Sequence, residues 1–595
     1  MLSRSAVRCS SQASLPRPRL PLRDIQKRQP LQPRRCERHN SSHSSYSRAE
    51  PVRLQWPGQW TSKGPAKRTS CRRMSMNASV STAAAEAPLR PSMVASTATT
   101  AGGAATVALL LAPMVSELDR MAPRVDIHGS QVRVLETPTE FYETLKDMIR
   151  SAKRRIFLST LYIGTKEAEL VAVLQEAMRA NPNLKLHILT DALRGTRESP
   201  AKPSSATLLA PLVAEFGADR VDVRMYHTPN LTGLRKKYIP KRINEGWGLQ
   251  HMKLYGVDDA ILLSGANLSN DYFTNRQDRY HVFDSPELTE TYWRMQKSVA
   301  SLSFRIDPSA TDPSGFTMAW PASNAAPSPL KAPKAFVAQA TGVLRELMLS
   351  SNATASPLLA EKVDGHGGAD TSVYVLAQMT QLLKPDTSTE RPAMTHVLQT
   401  LAAPQYANTA SWTFTAGYFN PAPSLTKLLL AAAPTKNNVV ITASPQANGF
   451  YGSAGVSSLL PDAYTFLAHR FLKAVQAQKR GDAITLKEWR KGTVGTPGGW
   501  TYHAKGLWVT IPSVASLTVV GSSNYTKRSY SLDLEANALV VTRNAALQQR
   551  LADEQAWLQT HATAVTRDDF AKPDRRVRLH VRLAMWIVQA VGGQL

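Results

Sequence analysis

Two short stretches of the sequence place a lysine two residues after a histidine. His251 and Lys253 lie in GLQHMKLYGVDD, and His503 and Lys505 lie in TYHAKGLWVT. Residues two apart on a β-strand leave the same face, so each imidazole has an ammonium group beside it. A neutral imidazole can attack phosphorus, a second can protonate the leaving oxygen, and ammonium groups can hold phosphate oxygens. The two pairs therefore predict phosphoryl transfer on a phosphodiester or pyrophosphate, a reaction for which we expect no metal and no other cofactor.

Polar residues follow both pairs at matching distances. Asn267 ends SGAN after the first pair, and Asn524 ends GSSN after the second. An acid stands eleven residues beyond each asparagine, Asp278 in the first case and Glu535 in the second. Amide groups can hold phosphate oxygens in the transition state, and a carboxylate can bind the far nitrogen of an imidazole and fix its tautomer. A further acid, Asp258, follows the first lysine with four residues between them. The predicted catalytic residues are His251, Lys253, Asp258, Asn267, Asp278, His503, Lys505, Asn524 and Glu535.

Two other interpretations of the histidines need weighing. A single His-x-Lys pair arises often by chance on a strand, and alone it would indicate structure rather than chemistry. The matched second pair, with the same residue order after it, makes chance a poor explanation. Zinc binding by His251 and His503 is disfavoured, because each has a lysine beside it that would repel the ion and no cysteine is near.

The elements that must position these residues recur in the same order in the two parts of the chain. RRIFLSTLYIG, which contains Tyr162, resembles TASWTFTAGYFN, which contains Tyr418. In each part a predicted helix and a strand follow, and the chain then reaches the His-x-Lys pair. From Tyr162 to His251 is 89 residues, and from Tyr418 to His503 is 85. We interpret this as a duplication, and the alternating strands and helices predict an α/β sandwich in each half.

Charge and cysteine are unevenly spread over the 595 residues. The net charge is +26, but residues 1–80 hold 17 Lys or Arg against three acids, which leaves about +12 for the rest. That is not the basic surface of a nucleic-acid-binding protein, and we expect no nucleic-acid partner. All three cysteines lie in the same leader, so the body has neither a disulfide framework nor a cysteine-based site.

The leader is rich in Arg, Ser and Pro and poor in acids, which is typical of a mitochondrial transit peptide. A disordered basic tail that binds anionic partners is the alternative.

No apolar run has the length of a membrane span; Thr106–Val115 contains a proline and is about half as long as needed. The expected divisions are a transit peptide and low-complexity leader (1–110), an N-terminal half (111–306), a linker rich in Pro, Ser and Ala (307–334), a C-terminal half (335–574) and a basic amphipathic segment (575–595).

From about residue 116 to residue 590 the chain resembles the phospholipase D superfamily, which carries H-x-K-x4-D followed by G-S-x-N twice. Within it the chain is similar to the mitochondrial phosphatidylglycerophosphate synthases, through RRIFLSTLYIG, HMKLYGVDDAILLSGANLS, DYFTNRQDRY, SPQANGFYGSAG, YHAKGLW and GSSNYTKRSYSLDLEAN. The resemblance implies a duplicated α/β/α sandwich whose two pseudo-symmetric halves share one active site. It implies transfer of a phosphatidyl group from CDP-diacylglycerol to glycerol 3-phosphate, with release of CMP, on the way to phosphatidylglycerol and cardiolipin. It also implies a peripheral position on the mitochondrial inner membrane, on its matrix side.

The sequence departs from the superfamily pattern at two positions. Thr510 stands where the second motif would have its aspartate, and Ala266 replaces the serine after the first glycine. Both changes are typical of the synthase branch. They leave open which acid supports His503, and we expect Glu535 to do so.

The resemblance gives each histidine a role. We expect His251 to attack the lipid-side phosphorus and His503 to protonate CMP and later to deprotonate the acceptor, although near-symmetry leaves the reverse order open. The substrate phosphates need further cations, and four residues after the motifs are candidates whose alternative is a solvated surface charge. These substrate-binding candidates are Arg276, Arg279, Lys527 and Arg528.

Two basic segments are candidates for contact with an anionic membrane surface. The first is LRKKYIPKR, which includes Arg235–Arg242 and could equally be a solvated loop. The second is the C-terminal RRVRLHVRLAMWIVQAV, in which Arg575, Arg576, Arg578 and Arg582 adjoin an apolar run. A terminal helix packed on the body is its alternative.

The alternative functions are other reactions of this superfamily and a role without catalysis. Another phosphatidyltransferase, such as a phosphatidylserine or cardiolipin synthase, is the first alternative. A nuclease or tyrosyl-DNA phosphodiesterase is less favoured, because it would need stacking aromatic residues and a basic groove. A lipid-binding scaffold is disfavoured, because both histidines and both lysines are intact.

Overall fold

The computed structural model describes residues 106–590, apart from 108, 242, 350, 351, 353, 361–367 and 433–436. The expected transit peptide therefore lies outside the described residues, except for its last few positions. The strands are β1 (Arg124–Ile127), β2 (Val132–Leu135), β3 (Arg155–Ser159), β4 (Lys185–Asp191), β5 (Val221–Tyr226), β6 (Leu254–Val257), β7 (Ala260–Ser264), β8 (Arg276–Gln277), β9 (Tyr280–Asp284), β10 (Phe304–Pro308), β11 (Phe316–Ala319), β12 (Thr371–Gln378), β13 (Ser411–Ala416), β14 (Asn438–Ala443), β15 (Ile484–Trp489), β16 (Thr501–Tyr502), β17 (Lys505–Ile511), β18 (Ala515–Gly521), β19 (Glu535–Thr542) and β20 (Ala562–Ala564).

Helices connect these strands. They are α1 (Ala112–Met121), α2 (Pro138–Arg150), α3 (Ala168–Ala180), α4 (Ala192–Gly195), α5 (Ser205–Phe216), α6 (Gly233–Tyr238), α7 (Asn270–Thr274), α8 (Pro286–Ala300), α9 (Pro333–Met348), α10 (Glu390–Leu401), α11 (Pro423–Ala431), α12 (Leu460–Ala477), α13 (Ala545–Gln559), α14 (Arg567–Ala571) and α15 (Leu579–Ala590). Local sequence sets several of their ends. Helix α2, for example, begins with Pro138, and Thr137 caps it by accepting a hydrogen bond from the Glu140 N–H at 3.1 Å.

Two nine-stranded sheets carry the fold, and they have the same internal order. The first runs β11-β10-β5-β4-β3-β6-β7-β9-β2, and the second runs β1-β12-β19-β18-β17-β13-β14-β15-β20. Each has a parallel trio, β3-β4-β5 or β13-β14-β15, followed by antiparallel strands in matching positions. The strands that carry or adjoin the two His-x-Lys pairs, β6 and β17, are counterparts. The predicted duplicated α/β architecture is confirmed.

Apolar side chains form three main clusters around the sheets. Helices α2, α3 and α5 cover the outer face of the first sheet. Helices α1, α10, α11 and α12 cover the outer face of the second. A central cluster joins the two sheets and buries one side of α8, α9 and α13 between them. The two halves therefore share a core, which makes their interface rigid enough to carry a shared site.

The chain divides between the halves differently from the boundaries expected from the sequence. Helix α1 and strand β1 lie within the expected N-terminal half, but β1 pairs with β12 of the second sheet. Val107 and Leu110 already belong to the buried core, within the stretch expected to be leader. Strands β10 and β11 extend the first sheet to Ala319, into the expected linker. A strand that pairs across the duplication cannot be recognised from local sequence.

Helix α15 occupies most of the expected C-terminal segment, and residues 591–595 lie outside the described part. Within the described ranges no helix has both the length and the apolar character needed to cross a membrane.

Candidate active site

Both histidines lie where the backbones of the two halves cross. The His251 N–H donates to the carbonyl of Leu534 at 2.9 Å, and the His503 N–H donates to the carbonyl of Gln277 at 2.8 Å. Strands β16 and β8 pair in parallel at the second crossing. Gln250 makes a parallel bridge to Leu534 at the first. Each histidine is therefore fastened, through its own backbone, to the residue just before the acid of the opposite half.

Each acid consequently reaches the histidine of the other half. His251 Nδ1 lies 2.9 Å from Glu535 Oε2, and His503 Nδ1 lies 2.6 Å from Asp278 Oδ2. The expectation that Glu535 supports His503 is wrong, because the acids are exchanged between the halves. With Nδ1–H donating to a carboxylate, each ring keeps the lone pair of Nε2 for chemistry.

Two lysines are buried beneath the imidazoles. Lys253 Nζ donates to the carbonyl of His251 at 2.7 Å. Lys505 Nζ lies 3.1 Å from Asp278 Oδ2 and 2.7 Å from His503 Nδ1. The charge of Lys505 also acts on His251 and Lys253, so the two motifs share one electrostatic environment. The structure thus brings both predicted pairs into one buried cluster where the two halves meet, and we call this place the cleft.

Burial and neighbouring cations decide the protonation of this cluster. Burial and the Lys253 charge lower the pKa of His251 well below its ordinary value. Burial and the Lys505 charge lower the pKa of His503 to about 3. Both imidazoles are therefore neutral at pH 7, as a nucleophile must be.

The carboxyl and ammonium groups are shifted unequally. Burial raises the pKa of Glu535 to about 7, whereas Lys505 and His503 outweigh burial and lower the pKa of Asp278. Burial lowers the pKa of Lys253 to about 7, and Lys505 is shifted in the same direction. One acid is therefore firmly ionised, and the other titrates near neutrality.

The asparagines and glycines of the two motifs also lie in or near the cleft. Asn267 is buried, and its Nδ2 donates to the Tyr272 hydroxyl at 3.1 Å. Asn524 is half-buried in the equivalent loop. A Cβ at Gly265 would collide with Lys505 Nζ and lie 2.6 Å from Asp278 Oδ1. A side chain at position 265 is thus disfavoured by the close approach of Lys505 from the opposite half and of Asp278 from the same half.

Asp258 does not join this cluster. It lies at the turn between β6 and β7, with φ at +50°, and its carboxylate accepts hydrogen bonds from the backbone N–H groups of Lys153, Arg154 and Arg155. Those bonds lower its pKa despite the opposing effect of burial. The predicted catalytic role of Asp258 is wrong, because its carboxylate is committed to joining the turn to the start of β3.

Arg279 is likewise a structural residue and not a substrate contact. Its guanidinium is buried, forms two hydrogen bonds to Glu554 at 2.8 and 2.9 Å, and lies 3.7 Å from the centre of the Trp508 ring. His281 Nε2 and the Trp508 indole N–H contact the same carboxylate. The expectation of a phosphate contact fails here, because Arg279 fastens the strand segment that carries Asp278 to the other half.

The remaining predicted cations lie nearer the cleft. Arg276 stacks over the Tyr272 ring, and its charge acts on His503. Arg528 pairs with Asp533 at 2.8 Å, and its charge acts on His251. Lys527 is exposed on the turn after Asn524. The structure thus offers one partly accessible arginine near each imidazole.

Two tyrosines at the second histidine were missed from the sequence. The Tyr272 hydroxyl lies 3.4 Å from His503 Nε2, and the rings of Tyr272 and Tyr418 meet the imidazole edge-on with centres 5.1 and 5.2 Å away. In the sequence Tyr418 served only as a landmark of the duplication, although its place two residues after the end of β13 was a usable signal.

Comparison with known proteins extends these observations. No family model matches the sequence. The chain is 44% identical over 470 residues to the CDP-diacylglycerol–glycerol-3-phosphate 3-phosphatidyltransferase of Saccharomyces cerevisiae, an alignment that covers 77% of this chain and 88% of that protein. It is 35% identical over 490 residues to the mitochondrial enzyme of that name from Homo sapiens, covering 79% and 84% respectively.

A solved structure shares the fold. The phosphatidylserine synthase of Haemophilus influenzae superposes with a TM-score of 0.59 over 80% of this chain and 96% of its own, at 18% sequence identity. At that identity the likeness concerns the fold alone, and it agrees with the predicted phospholipase-D-like architecture.

Proposed function

Because the chain belongs to the family of CDP-diacylglycerol–glycerol-3-phosphate 3-phosphatidyltransferases, we propose that it transfers the phosphatidyl group of CDP-diacylglycerol to sn-glycerol 3-phosphate and releases CMP. The observation that carries the proposal is the crossed pair of histidine–acid contacts, His251 with Glu535 and His503 with Asp278. Two oriented neutral imidazoles over two buried lysines suit displacement at a pyrophosphate phosphorus through a covalent intermediate.

The reaction would proceed in two displacements. First, His251 Nε2 attacks the lipid-side phosphorus, the P–O bond to CMP breaks, and His503 donates a proton to the departing oxygen. Second, His503 removes the proton of an acceptor hydroxyl, whose oxygen attacks the phosphatidyl–histidine and breaks its P–N bond. His503 is neutral in the free cleft, and the bound pyrophosphate raises the pKa of the imidazole toward the charged form that the first step needs.

The surroundings of the two rings support this order. No described residue forms a hydrogen bond to His251 Nε2, so its lone pair is available to a substrate phosphorus. His503 Nε2 has the Tyr272 hydroxyl 3.4 Å away and is backed by the ionised Asp278, which stabilises an imidazolium. His251 is therefore the nucleophile of the proposal, and His503 is its acid and base.

Cations and amides would hold the substrate oxygens. Lys253 and Lys505 lie beneath the imidazoles, and Asn267 and Asn524 belong to the loops that follow. In the proposal these four side chains bind the non-bridging oxygens of the reacting phosphorus, where developing charge is greatest. In the proposal Arg276, Arg528 and Lys527 bind the substrate phosphate groups that do not react.

An acylated substrate requires contact with a membrane surface, and α15 offers one. Val581 and Met585 pack against α12, while Leu579, Leu583 and Trp586 are 78%, 55% and 65% exposed. An apolar face beside several arginines is typical of a helix that lies in the interface of an anionic membrane. Replacing the three exposed residues by serine should lower activity on anionic vesicles more than on detergent micelles, and equal losses would contradict the docking role.

The expected arginines of this segment are not equivalent. Arg575 is paired with Glu488 at 2.5 Å and is not available to lipid, whereas Arg576 is exposed. The basic helix α6 is a second candidate contact, with Leu234 and Tyr238 73% and 69% exposed next to its cations.

The proposal places the protein in mitochondria, as a peripheral protein of the inner membrane facing the matrix, early in the formation of phosphatidylglycerol and cardiolipin. Support comes from the basic leader and from relatives whose names include the word mitochondrial.

An acceptor panel tests the proposed reaction. Purified protein with CDP-diacylglycerol should form lipid product and CMP with glycerol 3-phosphate, and far less with serine or phosphatidylglycerol. A preference for serine or phosphatidylglycerol, or cleavage of a 3′-phosphotyrosyl oligonucleotide without lipid transfer, would overturn it.

A further inference from the structure

Arg276 is fixed at one corner of the cleft by its neighbours. Its Nε donates to Thr501 Oγ1 at 2.9 Å, its guanidinium lies 4.6 Å from the centre of the Tyr272 ring, and it pairs with the exposed carboxylate of Asp271 at 3.0 Å. The side chain nevertheless keeps 12% of its surface accessible. It is a preorganised cation whose present carboxylate partner faces solvent.

The loop that follows β14 approaches this arginine very closely. A Cβ at Gly449 would lie 3.0 Å from Arg276 Nη2 and 2.9 Å from the Tyr418 hydroxyl. The next residue, Phe450, packs its ring against that of Tyr418, with centres 5.5 Å apart. The segment SPQANGFYGSAG, which the proposed reaction leaves without a role, thus covers the corner formed by Arg276 and Tyr418.

The imidazole of His503 lies at the same corner. The rings of Tyr272 and Tyr418 both meet the imidazole of His503 edge-on, and the charge of Arg276 acts on it. The proposed reaction puts the departing and the attacking oxygen successively at this histidine, because both stand opposite the attacking nitrogen of His251. In glycerol 3-phosphate the glycerol carbons separate the attacking hydroxyl from the phosphate, so with the hydroxyl at His503 the phosphate lies beside this histidine and not on it.

We propose that Arg276, Tyr418 and the Gly449 loop form a phosphomonoester subsite that holds the phosphate of the acceptor, glycerol 3-phosphate, while the acceptor hydroxyl lies at His503. This inference rests on the proposed function and adds what selects the acceptor. A guanidinium forms paired, charge-assisted hydrogen bonds with phosphate, and a phenol hydroxyl adds a third donor. Glycine at position 449 leaves the phosphate the space that a methyl group would fill.

Comparing acceptors with and without a phosphate tests the subsite. Wild-type protein should use glycerol 3-phosphate far better than glycerol in kcat/KM. Arg276→Ala should reduce that preference about 10- to 100-fold, chiefly through KM for glycerol 3-phosphate, because one or two charge-assisted hydrogen bonds are lost. Arg276→Lys should restore part of it. Inorganic phosphate should compete with glycerol 3-phosphate in wild type, and less in Arg276→Ala.

Matched controls separate this effect from general damage. Arg179, on the outer helix α3, also pairs with a carboxylate, and Arg179→Ala should leave the preference unchanged. Gly449→Ala should raise KM for glycerol 3-phosphate several-fold. Gly481→Ala, where a Cβ would meet nothing within 4 Å, should not.

The outcomes distinguish the two proposals. If wild type transfers to glycerol 3-phosphate but Arg276→Ala keeps the full preference over glycerol, the subsite is overturned and the proposed function stands. If wild type transfers to neither acceptor, the proposed function itself fails, and the subsite fails with it.

Discussion

The two histidines occupy equivalent positions in the two halves, but their surroundings differ. Glu535, behind His251, receives a hydrogen bond from Ser522 at 2.6 Å and titrates near pH 7 because it is buried. Asp278, behind His503, has the ammonium of Lys505 beside it and stays ionised. The same backbone arrangement thus holds the two histidines in environments of different charge. In the proposed reaction this difference separates the nucleophile, His251, from the acid and base, His503.

The largest expected effect that would sharpen this comparison comes from neutralising each acid in turn. Asp278→Asn should lower kcat by about 10²- to 10⁴-fold, because the imidazolium of His503 loses its counter-charge. Glu535→Gln should cost at least tenfold less, since Glu535 already carries its proton part of the time at pH 7. Steady-state kinetics at pH 7 measure both. Equal losses would break the comparison.

A second test concerns the contact that places Asp278. Arg279→Met leaves Glu554 buried without its guanidinium partner, and removing one member of a buried ion pair costs about 3–5 kcal/mol of unfolding free energy. Urea unfolding measures the loss. Arg179→Ala, which breaks an exposed pair, should change stability by less than about 1 kcal/mol.

Activity should fall with Arg279→Met even at temperatures where the variant remains folded, because Arg279 holds in place the backbone segment that carries Asp278. Full activity in a folded Arg279→Met protein would show that Asp278 is positioned without this cluster.

The smallest expected effect is a shift in pH dependence. Lys253, with its pKa lowered to about 7, loses its positive charge as pH rises through that value, so kcat/KM for CDP-diacylglycerol should decline above about pH 7. The Glu535 carboxylate favours the charged lysine more than Asp278 does. Glu535→Gln should therefore move the alkaline decline to lower pH by about one unit, and Asp278→Asn should move it less. A larger shift in Asp278→Asn would reverse the assignment of the two environments.

Much of the site could be predicted because its chemistry is local in sequence. The His-x-Lys pairs, the asparagines and the two acids are readable from residue type and matched spacing. The exchange of acids between halves could not be read, since Asp278 and Glu535 stand at the same offset and only the crossing of β8 with β16 decides the pairing.

The errors in the site arose where tertiary packing decides a side chain's role. Arg276 and Arg279 are three residues apart and look alike in sequence, yet one lies at the cleft and the other is buried in the contact with Glu554. Asp258 matches the superfamily pattern, but only the structure shows that its carboxylate binds the backbone N–H groups of residues 153–155. The duplicated fold was predictable from repeated order, but the pairing of β1 with the second sheet was not, because a short edge strand carries no signal of its partner.

Trapping the covalent intermediate tests the division of labour between the two histidines most directly. Radiolabelled CDP-diacylglycerol would be mixed with His503→Asn and with His251→Asn, and the quenched proteins digested for mass spectrometry. We expect an acid-labile, base-stable phosphatidyl adduct on the peptide containing His251 in the first variant and no adduct in the second. An adduct on His503, or sequential kinetics in the wild type with no adduct in either variant, would contradict the account.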